Sequence, residues 1–193
     1  MCGGDAITKW KGLPDLGKPI GESWEVSAVP SSVSIIANGA FKGRDLVSVI
    51  NEYPHEILGQ EVARQYDGQL PLLVKFIDAH HDLSIQVHPN DEMAQRLYGK
   101  RGKSEMWYVI DAKPGAFLYA GFSEPMSQHT DYSVPQNREE AMADYRRRIE
   151  EGSITEVLAK HEVKTGDVFF FRQVVCMPSD VVFYWAKYSR AVM

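Results

Sequence analysis

Two short segments carry side chains able to do chemistry together. Leu83-Ser84-Ile85-Gln86-Val87-His88-Pro89-Asn90-Asp91 is followed by Gly102-Lys103-Ser104-Glu105-Met106-Trp107-Tyr108, which puts Glu105 17 residues after His88. Gln86, His88 and Glu105 offer an amide oxygen, an imidazole nitrogen and a carboxylate. Such donors suit a borderline divalent ion such as zinc and leave coordination positions open for a substrate. Ser84 and Lys103 lie beside them and can hold an anionic group. The two segments read as a metal site next to a phosphate site. A lone histidine is more often structural than ligating. Gln86 two residues before His88, and Glu105 after a turn, reverse that expectation here. Lys103 alone would be a surface lysine, and only its place two before Glu105 raises it. His80 and His81 are close enough in sequence to touch a substrate, with a loop role as the other reading.

The elements that must position these groups follow from local pattern. Ser84–His88 reads as a strand, which puts Gln86 and His88 on one face. Asn90 or Asp91 can cap a short helix running to Leu97, with Glu92 in its first turn. Gly99–Lys103 is a turn. Glu105–Ile110 and Ala116–Tyr119 read as strands joined by Lys113-Pro114-Gly115. Upstream, Met1–Gly21 is rich in Gly and Pro and reads as loop. Glu22–Val29 and Leu72–Ile77 read as strands, and Gly43–Tyr66 as two helices split at Pro54. The stretch from Gln136 to Lys160 has helical spacing at Met142, Tyr145, Ile149, Ile154 and Leu158 and breaks at Gly152. Its Arg146-Arg147-Arg148 run reads as a solvated helix face, with a phosphate clamp as the other reading. Val163–Phe171 returns to strand. Trp24 and Trp107 read as core or pocket wall. Strands before and after a helical insert point to a β-barrel or sandwich with helices at one end.

Composition narrows the function classes. The 193 residues suffice for one packed domain, and 44% hydrophobic with 24% charged content is ordinary for a globular chain. A net charge of −5 argues against a nucleic-acid partner. Two cysteines, Cys2 and Cys176, imply no disulfide framework. No signal pattern or long apolar span is seen, so no membrane partner is expected. A reducing cytoplasm is the default location, with a monomer or weak dimer as the expected state.

These residues resemble a known family. Gly21-Glu22-Ser23-Trp24-Glu25-Val26-Ser27, Leu83–Asp91, Gly102–Tyr108 and Val163-Lys164-Thr165-Gly166-Asp167-Val168-Phe169 together look like the type I mannose-6-phosphate isomerases, in their shorter bacterial branch. The resemblance covers roughly residues 3–171. It implies a mainly β fold, a cupin-type barrel (jelly roll) with peripheral helices and a helical insertion over about 136–160, in a catalytic domain of residues 1–171. It implies a zinc-dependent isomerase, one ion per chain, interconverting mannose 6-phosphate and fructose 6-phosphate by an enediol proton transfer. Carried over by motif, Gln86, His88 and Glu105 would be zinc ligands, and Ser84 and Lys103 would hold the substrate phosphate. Glu92, four after His88, mimics the ligand spacing of other cupins but reads as a helix-start carboxylate.

The match breaks after Phe171. The family's last ligand lies in a segment of the form P-A-G-x-x-H-A, whereas this chain reads Phe171-Arg172-Gln173-Val174-Val175-Cys176-Met177-Pro178 and has no histidine after His161. The family's E-I-Q-Q stretch and its catalytic arginine are absent too. Regrouping possible codons by one base permits P-A-G-R-V-H-A and, further on, E-I-Q-Q across the tail. Residues 172–193 are therefore expected to be a frameshifted reading, with a base lost in the codons of Phe169-Phe170-Phe171. The start at Cys2-Gly3-Gly4-Asp5 is expected to lack the true N-terminus. The barrel is then incomplete, and Val181-Val182-Phe183-Tyr184-Trp185 is expected to fill the vacated strand position or to drive aggregation. Isomerase activity should be absent or very low. The alternative is a non-catalytic cupin that binds a metal or a sugar phosphate. An iron oxygenase is disfavoured because Gln86 stands where such sites favour histidine.

Overall fold

The computed structural model describes residues 3–15, 17–79, 83, 85–86, 88–123, 135–171 and 186–192, with 135–138 and 186–192 described by backbone alone. The expectations for His80, His81, Ser84, Cys2, Cys176 and Val181–Trp185 lie outside the described residues.

Helix and strand share the described chain about equally, so the fold is mixed rather than mainly β. The first segment reads as loop but forms α1 (Ala6–Trp10), because Ile7 buries almost fully and Asp78 caps the approach. Asp78, itself buried, accepts hydrogen bonds from the backbone N–H groups of Gly4 (3.2 Å) and Ala6 (2.9 Å). Strand β1 (Glu22–Val26) pairs antiparallel with β2 (Val74–Ile77). Between them the predicted helical stretch forms α2 (Leu46–Glu52), α3 (Pro54–Leu58) and α4 (Gln60–Gln65). Pro54 opens α3 as predicted, but Gly59 at φ 78° adds a second break that only a glycine takes readily. Trp24 is 37% exposed and donates to Glu22, so it lines the outside of this sheet rather than the core.

Helix α5 (Asp91–Tyr98) is capped by Asn90, whose side chain accepts from the Met93 N–H at 2.9 Å, and closes at Gly99 in the left-handed region. Strand β3 (Glu105–Tyr108) leads into β4 (Asp111–Phe122). The predicted turn at Lys113-Pro114-Gly115 sits inside β4 as an irregularity, where the register jumps between Ala112 and Phe117. Helix α6 (Pro135–Glu151) ends at Gly152 as expected. A 3₁₀ turn at Ile154–Val157 follows, and Leu158–Lys160, read as helical, instead begins β5 (Leu158–Glu162), because it finds a ladder partner in β4. Strand β6 (Val168–Phe171) pairs with β3, and β7 (Ala186–Val192) pairs with β4. The seven strands form three separate sheets and do not close into a barrel among the described residues. No described helix is long and apolar enough to cross a membrane.

Two apolar clusters anchor the site. One gathers Ile77, Ala79, Val109, Ala116, Leu118 and Val163, with Leu83, Trp107 and Phe169 packed against it. The other gathers Tyr145, Ile154, Val157 and Leu158, with Ile85 among its packed neighbours. Leu83 and Ile85 are therefore drawn to different cores. This explains a departure from the sequence reading. The described residues of Ser84–His88 are not a strand, since neighbours two apart serve separate clusters and no described strand lies alongside to share a ladder.

Candidate metal centre

The loop after α5 brings the two chemical segments together. Gly102 rests on the backbone of Pro89, Asn90 and Asp91, so close that a Cβ there would lie 2.6 Å from the Pro89 oxygen and the Asn90 carbonyl carbon. The Gly102 N–H donates to Asp91 Oδ1 at 2.8 Å, and the Lys103 N–H reaches the Pro89 oxygen at 3.4 Å. This clasp carries Lys103 and Glu105 onto the residues just after His88. Asp91 reads from sequence only as a helix-cap candidate; its bond to Gly102 and the close approach of that glycine are not visible from residue types, although a Gly before the Lys-x-Glu triplet is the trace they leave.

Glu105 stands at the centre. Its Oε2 lies 3.2 Å from His88 Nε2 and accepts the indole N–H of Trp107 at 3.1 Å. Its Oε1 lies 2.5 Å from Lys103 Nζ. The Glu105 and His88 side chains are only 15% and 17% exposed, whereas Lys103 is 47% exposed. Burial pushes the Glu105 carboxyl upward, but the hydrogen bonds to His88 and Lys103 outweigh it and hold the group at about 2. Glu105 is thus a carboxylate at any ordinary pH. In β3, Glu105 and Trp107 share the inner face, and Met106 and Tyr108 point outward at 61% and 52% exposure.

Of the five residues singled out in sequence, the structure joins His88, Lys103 and Glu105. Gln86 is exposed two residues before His88, and Ser84 lies outside the described residues. Lys103 spends its ammonium on the Glu105 carboxylate, a contact its spacing alone did not indicate. Glu92 sits exposed in the first turn of α5, as its helix-start reading requires. Trp107 is partly buried against the first cluster, which places it at the edge of the core.

The donor pair suits a metal ion. Two ligand atoms on a tetrahedral ion with bonds of ~2.0–2.2 Å are separated by roughly 3.3–3.6 Å. The His88 and Glu105 atoms, 3.2 Å apart, nearly hold that span already. Among the described residues no third histidine, cysteine, aspartate or glutamate joins them.

The arginine run behaves differently. Arg147 pairs with Asp144 and with Glu151 (2.7 Å), and Arg148 pairs with Asp144 (2.7 Å) and Glu156 (3.1 Å). These cations are spent on neighbouring carboxylates, which favours the solvated-face reading over a phosphate clamp.

The family model of the phosphomannose isomerase type I catalytic domain matches residues 7–115. The mannose-6-phosphate isomerase of Streptococcus mutans is 33% identical over 170 residues, covering 88% of this chain and 48% of that protein. The chain therefore spans about half the length of the curated relatives it matches. The crystal structure of the mannose 6-phosphate isomerase from Bacillus subtilis superposes with a TM-score of 0.75 at 26% identity, covering 99% of this chain and 52% of that one. A structure of mannose 6-phosphate isomerase bound with zinc and yttrium shares the fold, with a TM-score of 0.65 at 18% identity over 99% of this chain and 63% of that one.

Proposed function

The chain belongs to the type I phosphomannose isomerase family, and on that premise we propose that it binds zinc and a hexose 6-phosphate, the two ligands needed to interconvert mannose 6-phosphate and fructose 6-phosphate. The observation that carries the reading is the half-buried His88–Glu105 pair, set at near-ligand spacing with Lys103 against it. Gln86, His88 and Glu105 would hold the ion. Zinc, when bound, supplies a Lewis acid for the oxygens at C1 and C2 of the opened sugar. Glu105 arrives ionised, so no proton has to be removed before it binds a cation.

Lys103 and Ser84 would receive the phosphate. An ammonium has three donors, and Glu105 occupies one. Receiving the phosphate would require the half-exposed Lys103 head to share its donors between Glu105 and the anion. Binding the non-reacting phosphate end orients the reacting end. This reading keeps the chain in the reducing cytoplasm as a monomer or weak dimer.

Turnover is proposed to be absent or very low. Where the family carries P-A-G-x-x-H-A with its last ligand, this chain reads Phe171-Arg172-Gln173-Val174-Val175-Cys176-Met177-Pro178, which we read as out of frame. The specific prediction is binding without catalysis. Zinc and mannose 6-phosphate titrations should each show saturable binding, and isomerase assays should stay near background. Robust turnover would overturn the inactive reading, and failure to bind zinc would overturn the metal site. Sequencing the gene through the Phe169–Phe171 codons tests the frame directly.

A further inference from the structure

We propose that Trp107 is a positioning residue for this centre: its indole N–H fixes the Glu105 oxygen that faces His88 and so sets the geometry in which the pair takes a metal ion. The inference rests on the metal-binding reading and deepens it. Three observations carry it. Trp107 Nε1 donates to Glu105 Oε2 at 3.1 Å, and that same oxygen lies 3.2 Å from His88 Nε2. The other oxygen is held separately by Lys103, so both ends of the carboxylate are assigned. The indole is itself fixed, packed edge-on against Phe171 with ring centroids 5.0 Å apart and seated on the first apolar cluster.

The chain of restraint runs from core to site. Phe171 is the cross-strand partner of Glu105, so the ring that steadies the indole also stands opposite the carboxylate it orients. A carboxylate oxygen has two lone pairs, and an N–H on one leaves the other for a cation. Outer partners of this kind keep a ligating carboxylate in one orientation, and their loss typically weakens metal binding by ~10–100-fold. The competing account is that Glu105 merely satisfies a half-buried indole N–H. The two differ in what happens to metal affinity when the N–H is removed and the ring is kept.

The test uses the full 193-residue chain. Trp107→Phe keeps an aromatic ring against Phe171 and deletes the donor. Zinc affinity, measured by competition with a chromogenic chelator, should fall about 10-fold. The thermal midpoint in excess chelator should move by no more than about 2 °C. A second measurement needs no variant: the indole ¹⁵N–¹H resonance of Trp107, assigned through bonds, should shift when zinc is added to the unaltered chain. Unchanged affinity in Trp107→Phe overturns the proposal. Should that variant fail to fold, an indole resonance that ignores zinc overturns it instead. If the unaltered chain binds no zinc, the metal reading fails and this inference with it. If zinc binds equally well to both chains, only this inference fails.

Discussion

Glu105 and Asp144 are both carboxylates flanked by two basic groups, and the contrast between them separates a candidate site from ordinary surface charge. The partners of Asp144 on α6, Arg147 and Arg148, lie three and four residues on along the same helix, and Asp144 is 32% exposed. Helical spacing alone brings them together, and such pairs stabilise by only ~0.2–0.5 kcal/mol. Glu105 is 15% exposed and draws His88 from a segment 17 residues away, while Lys103 and Trp107 close on it along its own strand segment. Here the fold assembles the group and withdraws it from water, where charge–charge terms grow larger. Glu105 stays ionised although half-buried because His88 and Lys103, brought to it by the fold, outweigh the cost of burial. A helix-surface carboxylate costs almost nothing.

Four experiments break or sharpen this contrast. The largest effect is expected from Glu105→Gln, which keeps shape but removes the charge. Zinc binding should weaken by more than the ~10–100-fold that loss of an outer partner costs, as read by chelator competition. Asp144→Asn should leave zinc affinity unchanged. Equal effects at the two positions would erase the distinction.

Acid should expose the same difference in the metal-free chain. The folded-state value for Glu105 is about 2 against an ordinary 4.5, so its partners' contribution is fully present above pH ~4.5. It is lost as pH falls towards 2, and it amounts to roughly 3–4 kcal/mol at most. Urea unfolding in excess chelator at pH 6, 4 and 3 should show stability falling more steeply in the unaltered chain than in Glu105→Gln. Parallel slopes would mean that the pairing contributes little.

Next is the clasp. Gly102→Ala forces a Cβ to within 2.6 Å of Asn90 and Pro89 backbone atoms, and these cannot turn aside as a side chain would. A cost of about 1–3 kcal/mol in urea unfolding is expected, with weaker zinc binding because Glu105 is displaced from His88. The smallest effect belongs to α6. Replacing Arg147 and Arg148 together by alanine should cost no more than about 1 kcal/mol in the same assay and leave zinc and sugar-phosphate binding unchanged. A loss of phosphate affinity there would revive the clamp reading.

Much of the local structure was legible because it depends on neighbours in sequence. Asn90 as a cap, Pro54 as a helix start and Gly152 as a helix stop each act through the backbone beside them, and each sits where expected. Leu158–Lys160 was misread because its apolar spacing continues that of α6, whereas its pairing partner in β4 is some forty positions back. Ser84–His88 alternates like a strand, yet Leu83 and Ile85 pack into separate cores. Alternation describes a strand only when one face has one destination.

The sequence by itself determined which donors this protein possesses. Residue type fixes that His88 carries an imidazole, Glu105 a carboxylate and Lys103 an ammonium, and the motifs around them determine the family. Tertiary structure alone decided which of these meet and in what state. Lys103 reaches Glu105, and Trp107 and His88 share one of its oxygens, because Gly102 docks on Pro89–Asp91 and β6 fixes the face of β3. The physical reason is that donor chemistry is a property of single side chains. Convergence, burial and ionisation are properties of the space between segments, and that space exists only once the chain has folded.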